Sequence, residues 1–228
     1  RKSGTYAWYE IQDSVDYYKN FEKTKISYGH FSPEPLFRLD TKNYYSNDKS
    51  YIIPNADHYL LGLLNSNIHW FLIKALCPYV RGGFYEVRTY YIDTLPIPTA
   101  TDSQKQTIAQ YAETCQSLAE QRYQLQNTLR RRIPDLCPAD KDNKLSTKLH
   151  DWWELDFKAF QAEVKTRFKR AMTLQESIEW EPLFNETKEK IQRLSYQLST
   201  DELALNQAVY ALFDLTQTEI DLLEQNLK

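Results

Sequence analysis

The sequence predicts an α+β protein. A small mixed α/β domain is expected over residues 1–100, followed over 101–228 by an all-α helical domain built on an antiparallel coiled-coil arm. Three observations predict this. All five glycines, six of nine prolines and 13 of 17 tyrosines precede residue 100, which concentrates turns and β-formers in the first part. Residues 101–228 contain no glycine, as long helices with capped ends require. Those same residues carry two apolar runs with alternating steps of three and four, the signature of a coiled-coil seam.

In the first domain, Trp8-Tyr9-Glu10-Ile11, Lys25-Ile26-Ser27-Tyr28 and Ser50-Tyr51-Ile52-Ile53 read as short strands, with FSPEPLF between Pro-limited turns. A polar, aromatic loop over residues 43–49 precedes the last of them, and loops held by a sheet commonly carry recognition residues. The spine of the domain is predicted at 57–76. Leu60, Leu61, Leu64, Ile68, Phe71, Leu72 and Leu76 mark one buried helix face. Asp57 is its N-cap and Pro78 its stop, giving a helix about 30 Å long. Gly62 inside it costs about 1 kcal/mol against Ala, which close packing on another backbone would explain. Arg81-Gly82-Gly83 then turns the chain into a strand, FYEVRTYYI, and Leu95-Pro96-Ile97-Pro98 ends it.

In the second domain the seams run through Ile108, Tyr111, Cys115, Leu118, Arg122, Leu125 and Leu129, and through Phe184, Thr187, Ile191, Leu194 and Leu198. A helix from Ser103 to Leu129 would span about 40 Å, the length of a spacer. Between the seams lie Arg130-Arg131-Arg132, a Pro134/Pro138 loop and a helix with the apolar face Leu149, Trp153, Phe157, Phe160, Val164 and Phe168. Capping boxes predict helix starts at Thr173 with Glu176, Ser199 with Glu202, and Thr216 with Glu219. The chain would close on a helical hairpin, Leu203 to Phe213 and Thr218 to Leu227.

The net charge of −3 argues against a generic nucleic-acid binder, which is usually basic. Its distribution softens the objection. Residues 1–100 hold 11 Lys+Arg against 10 Asp+Glu, residues 128–170 hold 11 against 7, and residues 171–228 hold 4 against 11. The acidity is in the tail, so a DNA surface of local, modest charge fits the first two regions.

Catalytic chemistry is poorly supported. Cys77, Cys115 and Cys137 are odd in number and lack CxxC spacing, so neither a zinc site nor a disulfide framework is indicated. His30, His58, His69 and His150 are scattered, and His69 reads as a packing residue. Pro134-Asp135 with Glu163-Val164-Lys165 imitates a nuclease PD…ExK pattern. That chemistry wants both carboxylates sharing a metal ion; here Glu163 and Lys165 fall on different faces of one helix. The match reads as chance.

The run YLLGLLNS…WF…VRGGFYE…YI..LPIP carries a resemblance. With Trp8-Tyr9-Glu10-Ile11, Lys25-Ile26 and Tyr51-Ile52-Ile53 ahead of it, it closely resembles the TaqI-like C-terminal specificity domain. This is the target-recognition domain of adenine-N6 DNA methyltransferases and type IIG restriction-modification enzymes. The resemblance covers residues 6–98 and extends more loosely into the helices, where VYALFDLTQTEIDLLE looks like the tail of the same enzymes. It implies sequence-specific recognition of double-stranded DNA by a target-recognition domain, with a helical spacer behind it. The Gly-rich methyl-donor turn and the Asn/Asp-Pro-Pro-Tyr/Phe loop of such enzymes are absent from this chain. By the resemblance they belong to a methyltransferase domain of the same polypeptide, along with S-adenosylmethionine, and Mg²⁺ if a nuclease is present. No metal or small cofactor is expected in this piece.

Arginine reads guanine edges because its fork spans O6 and N7. Arg81 beside Gly82 and Gly83, and Arg88 along the strand with Tyr85, are therefore the first candidates for DNA contact. Lys25, Tyr28, Tyr44, Tyr45 and Lys49 follow, while Arg130, Arg131 and Arg132 could hold phosphates. The opening Arg-Lys-Ser-Gly, with no initiator Met and no apolar signal segment, reads as a piece of a longer prokaryotic cytoplasmic protein. The competing reading is a protein-interaction scaffold, in which the acidic arm docks a partner subunit.

Overall fold

The computed structural model describes residues 7–9 and 16–227. Trp8 and Tyr9 lie in a turn, and the rest of that first expected strand, Glu10 and Ile11, lies outside the described residues. By contact the chain forms two compact units. One takes in the described residues up to 113 together with 202–227, the other residues 114–201.

Among its described residues the first unit holds six strands: β1 (Lys25–Gly29), β2 (Phe31–Ser32), β3 (Arg38–Asp40), β4 (Ser50–Pro54), β5 (Tyr79–Val80) and β6 (Phe84–Glu86). They make two antiparallel three-stranded sheets, ordered β3-β1-β4 and β2-β6-β5. One residue passes the chain from sheet to sheet. The His30 N–H donates to the Lys49 carbonyl at 2.9 Å, and its carbonyl accepts from the Val87 N–H at 2.8 Å. Alternation along β1 sends Ile26 and Tyr28 into the apolar core.

The helices are α1 (His58–Leu64), α2 (Asn67–Leu76), α3 (Thr89–Ile92), α4 (Asp102–Arg130), α5 (Thr147–His150), α6 (Phe157–Phe168), α7 (Leu174–Leu212) and α8 (Gln217–Leu227). The single helix expected over 57–76 is two. Asp57 caps α1 as predicted, accepting from the Leu60 N–H at 2.8 Å. The chain then breaks at Asn65-Ser66, where the Ser66 side chain takes over backbone partners that a helix would use and the Asn65 side chain binds a distant backbone. Asn65 Nδ2 donates to the Phe37 carbonyl and Asn65 Oδ1 accepts from the Phe37 N–H, at 2.9 and 3.0 Å. Ser66 Oγ donates to the Leu63 carbonyl at 2.6 Å and caps α2 by accepting from the His69 N–H.

FYEVRTYYI is likewise strand only through Glu86. Arg88 stands at the N-cap of the short helix α3, not along a strand. The packing expected at Gly62 is present, with side chains supplying it. A Cβ there would lie 2.7 Å from Ile108 Cγ2, 3.2 Å from Leu205 Cδ1 and 3.3 Å from Ala112 Cβ. Ile108, Leu205, Val209, Ile220 and Leu223 gather on Leu63 and Ile68 in one cluster. The Asn67 N–H at the start of α2 donates to Asn206 Oδ1 at 2.7 Å.

In the second unit, α4 and α7 pack antiparallel along the predicted seams. Arg122 Nη1 reaches Ser195 Oγ at 3.5 Å, and Leu129 shares a core with Phe184 and Ile191. That core also takes Leu136, Leu149, Trp152, Phe160, Val164 and Phe168. Trp152, not the expected Trp153, is fully buried, because α5 and α6 are separated by a 3-10 turn over Trp152–Glu154. Capping boxes form at Thr173/Glu176 and Thr216/Glu219. None forms at Ser199, because α7 runs unbroken for 39 residues. No described helix is long and apolar enough to cross a membrane.

Candidate nucleic-acid interface

β5 and β6 pair Val80 with Phe84 and Tyr79 with Tyr85, leaving Arg81-Gly82-Gly83 as the hairpin tip. Gly82 and Gly83 hold φ of +90° and +87°, in the region where a side chain is strained. Nothing lies within 4 Å of a Cβ built on Gly83, so the backbone angle, not crowding, requires glycine there. The tip is therefore bare backbone beside one arginine. Arg81 is exposed and has no hydrogen-bond or ion-pair partner among the described residues.

Behind the tip stands a fixed group. The Glu86 carboxylate accepts from Arg88 Nη2 and, at 3.0 Å, from His30 Nε2. The Arg88 hydrogen bond first, and His30 after it, hold that carboxyl below the usual glutamate range against partial burial. The same bond raises Arg88 above the ordinary arginine value. Phe31 pairs with Glu86 across β2 and β6, stacks on the His30 ring at 4.2 Å, and is 46% exposed. Tyr85 points the other way, edge-on to Trp70 at 5.5 Å, and is half-buried. It supports the sheet from behind.

Loop 41–49 leaves β3 and returns to β4 where the Lys49 carbonyl meets His30. Tyr44 and Tyr45 are exposed on it, Tyr45 stacked on Phe21 at 5.1 Å and donating to Glu22 Oε1 at 3.2 Å. Lys49 is exposed beside Asp48.

Two of the expected contact residues are interior. Lys25 is 0% exposed, its Nζ 2.8 Å from Asp40 Oδ2 and donating to the Phe21 carbonyl at 2.7 Å. Asp40 in turn accepts from the Lys42 and Tyr44 N–H groups at 2.8 and 2.9 Å. Burial opposes its charge, but Lys25 and the two amides outweigh that and keep the carboxyl below its ordinary range. Lys25 thus anchors the 41–49 loop from inside and does not reach the surface. Tyr28 is core, donating to Thr89 Oγ1 at 3.3 Å, and burial pushes its hydroxyl up to about 12. Sequence reasoning missed Phe31 and His30, because the prolines of FSPEPLF mask β2. Only its register with β6 reveals them.

The other chemical candidates are engaged locally. His69 is buried, with Nε2 donating to the Pro96 carbonyl at 3.0 Å and Nδ1 3.2 Å from Ser66 Oγ. Asp135 pairs with Arg132, and Glu163 on α6 accepts from Ser146 Oγ. Among the described residues no group of three or more His, Cys, Asp or Glu side chains could hold a metal ion.

The exposed arginine, the glycine tip and the aromatic loop sit in a region whose class is a DNA-specificity domain. Residues 4–97 are a TaqI-like C-terminal specificity domain, which implies DNA target recognition in a restriction-modification or methyltransferase setting. Residues 101–209 match a domain of unknown function (DUF8810). No curated protein matches the chain, and no catalytic domain is matched on it.

Proposed function

We propose that this chain is the part of an adenine-N6 DNA methyltransferase or type IIG restriction-modification enzyme that reads a specific duplex sequence. The catalytic domain would be a separate unit of the same polypeptide. The observation that carries this reading is Arg81, exposed and unpaired on a two-glycine hairpin of a TaqI-like specificity domain. A guanidinium free of carboxylates can present its fork to guanine O6 and N7. Arg88 is held by Glu86, so it is better suited to supporting a contact than to making the first one. Tyr44, Tyr45 and Lys49 complete the surface along the loop that Asp40 and Lys25 anchor. Flipping and methylating the adenine fall to the catalytic domain.

The test is selection of the chain against a random duplex pool at two salt concentrations. An enriched motif at both is expected. Arg81→Ala should cost about 1–3 kcal/mol on that motif and relax one base position. A uniform loss over all sequences would make Arg81 a phosphate contact, and no retention at either salt would refute the reading.

A further inference from the structure

Residues 128–170 are locally basic, with 11 Lys+Arg against 7 Asp+Glu, inside a unit that over residues 114–201 holds 15 against 14. Five of those seven acids are engaged by other groups of the chain. Asp135 pairs with Arg132 and Asp142 with Arg167, Asp151 pairs with His150, Glu163 bonds Ser146, and Asp156 caps α6. Arg130 lies over the Trp153 ring at 5.0 Å and donates to the His150 carbonyl, and Arg170 pairs with Glu176. Among the described residues, several cations of this stretch have no hydrogen-bond or ion-pair partner.

Three of those cations form one row. Phe157, Phe160, Val164 and Phe168 bury one side of α6. Lys158, Ala162 and Lys165 follow at steps of four and three along an exposed side, and Lys169 lies four residues further on as the exposed left-handed cap of the helix. All three lysines are exposed, and none has a hydrogen-bond or ion-pair partner among the described residues. The rise of about 1.5 Å per residue places Lys165 about 6 Å from Lys169 and about 10 Å from Lys158 along the axis. Those intervals are about two and three times the ~3.4 Å per phosphate along the axis of one DNA strand. Ala162, the one uncharged member of the row, leaves room for a backbone to come close.

We propose that the Lys158–Lys165–Lys169 row is a phosphate-binding surface that adds sequence-independent contacts to the DNA backbone, assigning a role to the helical region of unknown function. The partner is nucleic acid because a file of unpaired ammonium groups on one helix side matches a regularly spaced polyanion. The chain also already carries a DNA-specificity domain. The inference rests on the proposed DNA reading, but its test separates the two.

The experiment measures binding of the whole chain to its selected duplex and to an unrelated one across a salt series. Each phosphate contact contributes about 0.9 to the slope of log K against log salt. The triple variant Lys158→Gln, Lys165→Gln, Lys169→Gln should lower that slope by about 2–3 on both duplexes, with the enriched motif unchanged. Arginine at the three positions should keep it. An unaltered slope in a variant that melts as the parent does would overturn the inference and leave the specificity reading standing. A lowered slope with no enriched motif in the parent would support the inference and sink that reading. Loss of binding to an acidic protein, with the DNA slope unchanged, would also overturn it.

Discussion

Lys25 shows how far burial can redirect a residue that composition assigns to the surface. On a β-strand at the start of a recognition domain, a lysine reads as a phosphate contact. In the fold it is an internal post, because β1 places it opposite Asp40 in the ladder. Its charge is neutralised by that carboxylate, and it donates a further hydrogen bond to the Phe21 carbonyl. Lys25→Met should therefore cost about 3–5 kcal/mol, since it leaves Asp40 charged, buried and without its cation. Urea unfolding checks this, and a loss under 1 kcal/mol would show the pair to be solvated. Arg81 is the converse case. The Gly-Gly signal beside it is readable in the chain, and no described residue recruits its guanidinium elsewhere.

At the scale of elements, the joint between α1 and α2 governs the region that looked like one helix. Apolar spacing continues through Asn65-Ser66, so periodicity could not reveal the break, which depends on Phe37 and Pro96 arriving from elsewhere in the sequence. His69 ties the joint to Pro96, and burial, partly offset by that carbonyl, pushes its ring from 6.5 down to about 4. Between those values the unfolded chain binds the proton and the folded one does not. The contribution is thus complete above pH 6.5 and is lost as pH falls toward 4, amounting to about 3 kcal/mol. His69→Gln, which keeps a donor for Pro96, should flatten the fall in stability across that window. An identical pH profile for parent and variant would contradict the assignment.

For the molecule as a whole, the unit bearing Arg81 is completed by residues far outside its specificity domain. Ile108 near the start of α4, Leu205 and Val209 late in α7, and Ile220 and Leu223 of α8 close over Leu63 and Ile68. Leu223→Ala is expected to cost about 2–5 kcal/mol and, by loosening α2, to lower DNA selection in parallel with the melting temperature. Intact selection in a chain destabilised by that amount would show that the recognition surface does not depend on this packing.

The α+β class, the antiparallel helical arm, the caps at Asp57, Thr173 and Thr216, and the glycine hairpin with its arginine were all determined by the sequence alone. Each rests on local rules: spacing, φ requirements, and side chains within four residues of the amide they cap. Tertiary structure alone decided which Trp of the 152–153 pair is core, why Gly62 cannot carry a Cβ, and that Lys25 and Tyr28 face inward. It also brought Phe31 and His30 beside Glu86. Those outcomes depend on distant partners, from Asp40, 15 residues from Lys25, to Leu205, 143 residues from Gly62, and a strand's pattern of alternation does not say which of its two faces another element will cover.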